Sequence, residues 1–363
     1  MKKPALTVAL VTLAAILALA GTLSAAPRYY YQDLGVLPGG DQSYAYGINH
    51  AGQVVGVANL NPSGAGTHAF LKTPGQPLQD LGVLSGGASS EAYGINAAGQ
   101  VVGEGDVPGY LRAFLKDPGQ PMQDLGHLGG NVSRARGINN AGQVVGRSDY
   151  VSVTESGVRA FLKDPGQAMQ NLGTLGGLWS EALAINNAGQ VAGTSLKPDN
   201  NARAFLKNPG QEMQDLGITS GAFSSNAFGL NNAGQVVGYV YDAHPFRAFL
   251  KNPGQEMQDL GTLGGACSWA YGINDAGQVV GWADDTAVHS QKAFLWEKGV
   301  MYNLNHLTVN LPGNGEWPGV FLATATAIND RGWIAGTTGN YPPRAFLLTP
   351  VAGNAALGLL LLE

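Results

Sequence analysis

The segment GINNAGQVVG at residues 137–146 recurs along the chain and decides the fold. Its other copies are less regular, but all contain a central asparagine, and neighbouring asparagines are 43 to 55 residues apart. These asparagines are Asn49, Asn96, Asn139, Asn186, Asn231, Asn274 and Asn329. Two further elements, Ala-Phe-Leu and Gln-Asp-Leu-Gly, also occur seven times each, with one degenerate copy near Leu304. Three elements in seven copies indicate a repeat architecture.

Each repeat is predicted to form four short antiparallel strands. In one copy, residues 90–96 alternate small and large side chains, which is the pattern of a half-buried strand. Residues 96–99 then form a tight hairpin turn, where Gly99 can take a positive φ. The other three strands of this copy span residues 100–103, 112–115 and 122–126. Four strands in about 45 residues are typical of a β-propeller blade.

The ends of the repeat array predict how the ring closes. The first Gln-Asp-Leu-Gly, at residues 32–35, has no Ala-Phe-Leu before it. The last Ala-Phe-Leu, at residues 345–347, has no Gln-Asp-Leu-Gly after it. We therefore predict an all-β fold, a seven-bladed β-propeller of four-stranded antiparallel blades, closed by pairing the N-terminal strand with the C-terminal blade. An open β-solenoid is the alternative, but it would leave both end strands unpaired.

Composition excludes several classes of protein. Of the 363 residues, 54 are glycine and only 12% are charged, against about 25% charged in an average protein. The net charge of −5 excludes a basic surface of the kind that nucleic acid requires. The single cysteine, Cys267, cannot form an internal disulfide, so packing and hydrogen bonds must hold the fold together.

The chain ends differ from the repeats and set the domain boundaries. Lys2 and Lys3, an apolar stretch at 5–20 and small residues before Pro27 are typical of a signal peptide. An uncleaved anchor is the alternative, although the stretch is shorter than the roughly 20 residues that span a bilayer. We predict a signal peptide at 1–26, the propeller at 27–350 and a short apolar tail at 351–363. The mature chain would then be secreted or periplasmic, without a stable membrane span.

The motifs also indicate a family. The Asn-x-x-Gly-Gln-Val-Val-Gly and Asp-Leu-Gly-x-Leu-Gly-Gly motifs resemble those of the HAF family of bacterial extracellular repeat proteins, named after a His-Ala-Phe tripeptide. That tripeptide occurs here literally only at His68-Ala69-Phe70, and Arg or Lys replaces the histidine in the other copies. The resemblance spans about residues 31–350. It implies an exported protein of unknown biochemical role and supplies no catalytic residues.

Loop variation predicts where a ligand would bind. The loops joining strands one to two and three to four are nearly uniform, and in an up-and-down blade they share one face of the ring. The other loops differ in every copy and define what we call the variable-loop face, where recognition is expected. Trp179, Trp269 and Arg134 are expected near the axis. The candidate ligand-binding residues are Tyr150, Tyr239, Tyr241, His244, Trp282, Asp284, Asp285 and Trp317.

The function predicted from these observations is binding rather than catalysis. Aromatic side chains beside carboxylates and amides suit a glycan, a peptide or a cell-surface partner, with no cofactor and no metal. The six histidines share no repeat position, and common catalytic motifs are absent from the sequence. A secreted carbohydrate-active lyase or hydrolase that uses Asp284 and Asp285, or a structural surface component, is the alternative. The irregular residues 303–323 could form a lid over the ring mouth or a long connection around the closure.

The phenylalanine of each Ala-Phe-Leu element is predicted to lie in the core. We expect Phe114→Ala to lower the free energy of unfolding by about 3–5 kcal/mol, because it removes a large buried side chain and leaves a cavity. Urea denaturation of the variant and of Tyr110→Ala, in a predicted loop of the same repeat, would measure the difference. Equal stability of the two variants would contradict a core position for Phe114.

Overall fold

The computed structural model describes residues 27–64, 66–242, 246–286, 291–315 and 319–351. The predicted signal peptide, the tail beyond Val351, His244 and Trp317 lie outside the described residues. The described chain forms seven sheets of four antiparallel strands, arranged as the blades of a propeller. The predicted fold class is therefore confirmed.

The blades follow one another along the chain. Blade 1 contains β2 (Ser43–Ile48), β3 (Val54–Asn59), β4 (Thr67–Lys72) and β5 (Leu78–Asp80). Blade 2 contains β6 (Ser90–Ile95), β7 (Val101–Val107), β8 (Tyr110–Lys116) and β9 (Met122–Asp124). Blade 3 contains β10 (Gly129–Ile138), β11 (Val144–Val151), β12 (Ser156–Lys163) and β13 (Gln170–Asn171). Blade 4 contains β14 (Ser180–Ile185), β15 (Val191–Leu196), β16 (Ala202–Lys207) and β17 (Gln214–Asp215).

The remaining blades repeat this order, and the last is built from both ends of the array. Blade 5 contains β18 (Ala222–Leu230), β19 (Val236–Asp242), β20 (Phe246–Lys251) and β21 (Met257–Asp259). Blade 6 contains β22 (Gly264–Ile273), β23 (Val279–Asp285), β24 (Gln291–Glu297) and β25 (Val300–Asn303). Blade 7 contains β26 (Leu322–Ile328), β27 (Ile334–Thr338), β28 (Ala345–Pro350) and β1 (Tyr29–Asp33).

The ring closes through β1. This strand pairs antiparallel with β28, from Tyr29 opposite Pro350 to Asp33 opposite Phe346. It supplies the outer strand that blade 7 lacks, so that each of the seven sheets has four strands. The closure predicted from the two end elements is confirmed, and an open solenoid is excluded.

The long connection between blades 6 and 7 supports this closure. It contains the short helix α1 (Leu304–Leu307) and a 3₁₀ turn at Pro312–Gly315. The Val309 N–H donates to the Tyr29 carbonyl at 2.9 Å. The Asn310 side chain bonds both backbone groups of Tyr31, accepting its N–H at 2.6 Å and donating to its carbonyl at 3.0 Å. The described part of this connection therefore covers the outer edge of β1 and does not form a lid.

Small residues let the innermost strands approach closely. A methyl group added to Gly47 would lie 2.7 Å from the Tyr93 carbonyl oxygen of the next blade, and one added to Gly229 would lie 2.9 Å from the Tyr271 carbonyl oxygen. Such contacts leave room only for glycine. Farther from the axis, the phenylalanines of the Ala-Phe-Leu elements fill the space within and between sheets, and all are fully buried. They are Phe70, Phe114, Phe161, Phe205, Phe249, Phe294 and Phe346.

The repeated asparagines form a closed ring of hydrogen bonds around the axis, which we call the asparagine ring. The Nδ2 of each donates to the backbone carbonyl of the next at 2.9–3.1 Å, and Asn329 completes the circle by donating to Asn49. Within its own turn, the Oδ1 of Asn139 accepts the N–H of Gln143, and its Nδ2 also donates to the Gln143 side chain. Each ring asparagine is only 3–6% exposed.

Two further repeated residues link the strands around this ring. The Ser90 hydroxyl accepts the Ala69 N–H of the preceding blade at 2.9 Å and donates to the Gly82 carbonyl at 2.6 Å. The Gln100 side chain donates to Asp117 in the outer hairpin of its own blade at 2.7 Å. The motif residues thus act as hydrogen-bonding links within and between blades.

Breaking the asparagine ring should destabilise the propeller. We expect Asn139→Ala to lower the free energy of unfolding by about 1–3 kcal/mol, because it removes several buried hydrogen bonds at once. Asn140→Ala is the matched control, since Asn140 is the exposed neighbour in the same turn and its side chain accepts only the single exposed bond from the Ala97 N–H. Urea denaturation of both variants measures the difference, and an equal loss in the two would show that the ring adds nothing.

Candidate functional site

At three strand positions in each blade, the residue type differs from blade to blade, although the rest of the repeat is nearly uniform. Two lie on the innermost strand, five and three residues before the ring asparagine. The third lies on the second strand, directly opposite the first of these, as Trp282 lies opposite Trp269. In blade order the residues are Tyr44, Tyr46 and Val57; Glu91, Tyr93 and Glu104; Arg134, Arg136 and Arg147; Glu181, Leu183 and Thr194; Asn226, Phe228 and Tyr239; Trp269, Tyr271 and Trp282; Thr324, Thr326 and Thr337.

Many of these side chains line a central cavity of about 890 Å³, which lies on the variable-loop side of the asparagine ring. Tyr46, Tyr93, Arg136, Phe228 and Tyr271 are among its lining residues. Its inner end is formed by Leu230, Ile273 and Ile328, each next to a ring asparagine. The same three residues border a separate depression of about 210 Å³ at the uniform-loop face. The level of the asparagine ring thus divides the axial channel into two unequal parts.

Blades 2 to 4 contribute what we call the charged sector: Glu91, Glu104, Arg134, Arg136, Arg147 and Glu181. The Arg136 Nε lies 2.9 Å from Glu181, and an Arg134 guanidinium nitrogen lies 2.9 Å from Glu104. Burial raises the pKa of Glu104, and the nearby guanidinium groups of Arg136 and Arg134 offset this only in part. Burial lowers the pKa of Arg136, but Glu181 and Tyr93 more than compensate, so the pKa is raised overall. Arg136 therefore stays charged and paired.

Two tyrosines join the charged sector to blade 1. The rings of Tyr46 and Tyr93 are stacked with centroids 5.2 Å apart, and the Arg136 guanidinium lies 4.2 Å from the centroid of Tyr93. The Tyr93 hydroxyl donates to Glu91 at 2.7 Å. Burial raises the pKa of both tyrosines, so their hydroxyl groups stay protonated and can donate hydrogen bonds at neutral pH.

Blades 5 and 6 form the opposite wall, which we call the aromatic sector: Phe228, Tyr239, Phe246, Trp269, Tyr271 and Trp282. Its centre is a stacked pair, Tyr239 and Trp269, with ring centroids 4.1 Å apart. Trp282 also stacks on Trp269, with ring centroids 5.7 Å apart. Phe228 contacts Tyr271 at 5.4 Å and brings the cluster to the cavity surface.

Some of the residues predicted from the loops belong to this sector. Tyr239 and Trp282 lie within it, together with Trp269, which was expected near the axis. Tyr241 lies at its outer rim, 42% exposed and 5.1 Å from Phe246. Tyr150 lies elsewhere, half-buried near the end of β11, with the Arg159 guanidinium 5.4 Å from its ring centroid.

The two predicted carboxylates are not in the cavity lining. Asp284 is only 7% exposed, and its Oδ2 accepts the Cys267 N–H at 3.3 Å, so it holds the first half of β22. Asp285 lies next to it at the end of β23, opposite Gly264 in the ladder. Neither borders the central cavity. Placement alone does not test the binding role of the predicted residues, which stays a prediction.

Sequence reasoning from the loops missed most of the cavity wall. Tyr46, Tyr93, Arg136, Glu181 and Phe228 were not among the candidates, although all line the cavity. Aligning the seven copies on the ring asparagine would have revealed them, because the position three residues earlier reads Tyr, Tyr, Arg, Leu, Phe, Tyr and Thr, and the position five residues earlier, which contains Glu181, varies as well. Variation on an otherwise uniform strand was the missed signal.

Several polar atoms at these variable positions are buried without a hydrogen-bond partner. They include Thr194 Oγ1, Glu104 Oε2, Arg134 Nε and Trp269 Nε1. Thr194 is only 3% exposed and borders the cavity. Buried polar groups in proteins are nearly always paired, so these atoms are exceptions, and among the four residues only Thr194 belongs to the lining of the central cavity.

Other kinds of site find no support in the described part of the chain. No group of three or more His, Cys, Asp or Glu residues there is arranged to hold a metal ion. Among the same residues, no helix has the length and apolar character needed to cross a membrane.

Comparisons with known proteins agree with the fold. No protein-family model and no curated protein sequence matches the chain. The structure resembles oligogalacturonate lyase from Vibrio parahaemolyticus, with a TM-score of 0.56 and 11% identity over 88% of this chain and 93% of that one. It also resembles the BP39L lectin from Burkholderia pseudomallei, with a TM-score of 0.52 and 9% identity over 91% and 97% of the chains.

A third similar structure is a prolyl endopeptidase, with a TM-score of 0.54 and 10% identity over 90% of this chain. The chain spans only 49% of that protein, and 64% of a TolB from Acinetobacter baumannii that it also matches. At such low identity these likenesses show the propeller fold and no more.

The raised pKa of Glu104 predicts a pH dependence. Its ionised form is less favourable in the folded protein than in the unfolded chain, so its contribution to stability is present below the ordinary pKa of 4.5 and is lost as the pH rises through the raised value. Glutamine does not ionise, so the Glu104→Gln variant does not lose stability in this way as the pH rises. We therefore expect the stability of the variant, relative to the parent, to increase from pH 4.5 towards neutral pH.

Thermal unfolding of the two proteins across this pH range would measure the effect. If the difference in stability between the variant and the parent is the same at every pH, the variant has lost only the ion pair with Arg134. That result would contradict the raised pKa of Glu104.

Proposed function

We propose that this chain is an exported, non-catalytic propeller that binds a ligand in its central cavity from the variable-loop side. One observation supports this most directly: the side chains that vary between otherwise uniform blades are concentrated around that cavity. In a repeat protein, uniform residues maintain the scaffold, and recognition falls to the positions that differ. Export is proposed from the features of residues 1–26.

The size and chemistry of the cavity suit a ligand. Its volume of about 890 Å³ lies within the range of about 300–1,000 Å³ found for small-molecule sites. The wall combines aromatic rings with a few polar groups, including Asn226, Gln291 and the unpartnered hydroxyl of Thr194. This mixture is the usual composition of a site that binds a polar organic molecule.

The pairing of charges favours binding over catalysis. Glu181 is held by Arg136, and Glu104 lies against Arg134, so both carboxylates are engaged with guanidinium groups. A general acid or base needs a carboxyl group that can approach the substrate. These two act instead as parts of a fixed wall.

One observation favours the lyase or hydrolase alternative. Glu104 has a raised pKa, an unpartnered Oε2 and the Tyr93 hydroxyl 3.4 Å from its other oxygen. A buried carboxyl group with a shifted pKa is a common feature of active sites, and Tyr93, which contacts Glu104, lines the cavity. A screen of polysaccharides for turnover, repeated with Glu104→Gln, would distinguish the two functions, because turnover that the variant loses would favour the enzyme.

The binding proposal predicts that a bulky side chain inside the cavity blocks the ligand. Glycan and peptide arrays would identify ligands, and calorimetry would then compare Thr324→Trp with the parent. Thr324 borders the cavity, so tryptophan there should lower affinity by at least about tenfold, or 1.4 kcal/mol.

His50→Trp is the matched control, because His50 borders the depression at the opposite face. It should leave affinity unchanged. Equal affinity of both variants, or the absence of any ligand on both arrays, would contradict the proposal.

A further inference from the structure

We infer that the ligand is a neutral oligosaccharide, bound with one end in the cavity and with the rest of its chain extending over the aromatic side chains of blade 5. This inference rests on the proposed function, since it names the ligand class and the direction of the bound chain. Three observations lead to it: the charge balance of the wall, the course of the aromatic contacts, and the residue that stands at their outer end.

The wall of the cavity offers hydrogen bonds but little free charge. Its Arg136 and Glu181 neutralise each other at 2.9 Å. The other polar lining groups are hydroxyls and amides, among them Thr194, Asn226 and Gln291. A charged ligand would have to break the existing ion pairs, which is costly in a buried setting. A ligand with many hydroxyl groups and no charge is complementary to this wall.

Aromatic contacts continue without interruption from the cavity to the protein surface. From Phe228 in the cavity wall the ring centroids are 5.8 Å to Tyr239, 5.3 Å on to Phe246, and 5.1 Å on to Tyr241. Phe223 follows 6.5 Å beyond Tyr241. We call this series the aromatic track. Its inner members are half-buried, whereas Tyr241 and Phe223 are 42% and 54% exposed.

The outer end of the track stands where other blades have a structural residue. In blades 1, 2, 3 and 6 the residue three positions after the glycine of the second strand accepts N–H groups from the first strand of the blade or from the loop directly before it. These residues are Asn59, Asp106, Asp149 and Asp284. Blade 5 has Tyr241 at this position instead. In blade 5, an exposed aromatic ring thus replaces a side chain that holds the beginning of the blade.

An oligosaccharide accounts for both the cavity and the track. Sugar rings present apolar C–H faces that pack against aromatic side chains, and their edges present hydroxyl groups. Aromatic residues with a polar tip, such as Tyr239 and Tyr241, can contact both parts of a sugar. A short ligand would occupy the cavity alone, whereas a longer one would gain contacts with Tyr241 and Phe223.

The test is a calorimetric titration with neutral gluco-, manno- and xylo-oligosaccharides of two to six sugar units. We expect affinity to rise with chain length in the series that binds. Tyr241→Ala and Phe223→Ala should each lower the affinity of the longest member by about three- to tenfold and leave that of the shortest unchanged. Tyr341→Ala is the matched control, since Tyr341 is 84% exposed in a blade 7 loop off the track.

The outcomes separate this inference from the proposed function. If Thr324→Trp abolishes binding but neither track variant alters the dependence on length, the track is wrong and the cavity proposal stands. Stronger binding of an acidic series, such as oligogalacturonates, or of peptides overturns the neutral oligosaccharide, again without affecting the cavity. If none of the neutral series binds the parent protein, the inference is overturned.

Discussion

The structure depends on one hydrogen bond made seven times, from the amide nitrogen of a buried asparagine to the backbone carbonyl of its counterpart in the next blade. Because Asn329 donates to Asn49, the series has no first or last member and every blade is held at a fixed distance from the axis. Asparagine suits the position because one amide can accept N–H groups within its own turn while it donates to the neighbouring blade. An aspartate at this position could accept the N–H bonds of its own turn, but its ionised carboxylate could not donate a hydrogen bond to the carbonyl of the next blade.

This arrangement explains why the residues of the repeat are uniform in some places and varied in others. The ring asparagine, the interblade serine and the buried phenylalanine each meet the same surroundings in successive blades. By contrast, many residues at the three variable positions line the central cavity, which each blade meets on a different side. The variation is grouped, with charged residues in blades 2 to 4, aromatic residues in blades 5 and 6, and threonines in blade 7.

The fold could be predicted from the sequence because the evidence for it is local and repeated. Alternation on the first strand, the Asn-x-x-Gly turn and the order of elements at the two ends were enough to predict seven blades and their closure. The site could be predicted only in part. The role of Asp284 depends on the Cys267 N–H, 17 residues away, and no local pattern reveals that partner. Tyr239 and Trp282 were found because they adjoin variable loops, whereas Tyr46 and Phe228 lie on strands that read as scaffold.

A second circle of bonds lies outside the asparagine ring, and it is incomplete. In blades 2 to 6, the residue after the ring asparagine donates its backbone N–H to the side chain of the equivalent residue in the next blade, from Ala97 to Asn140 and onward to Asp330. His50 and Ala97 have no side-chain oxygen to accept such a bond, so blade 1 lacks this link on both sides. The outer circle is therefore open on either side of blade 1, where the asparagine ring and, towards blade 7, a bond from the Thr326 hydroxyl to the Ala45 carbonyl hold the neighbouring blades together.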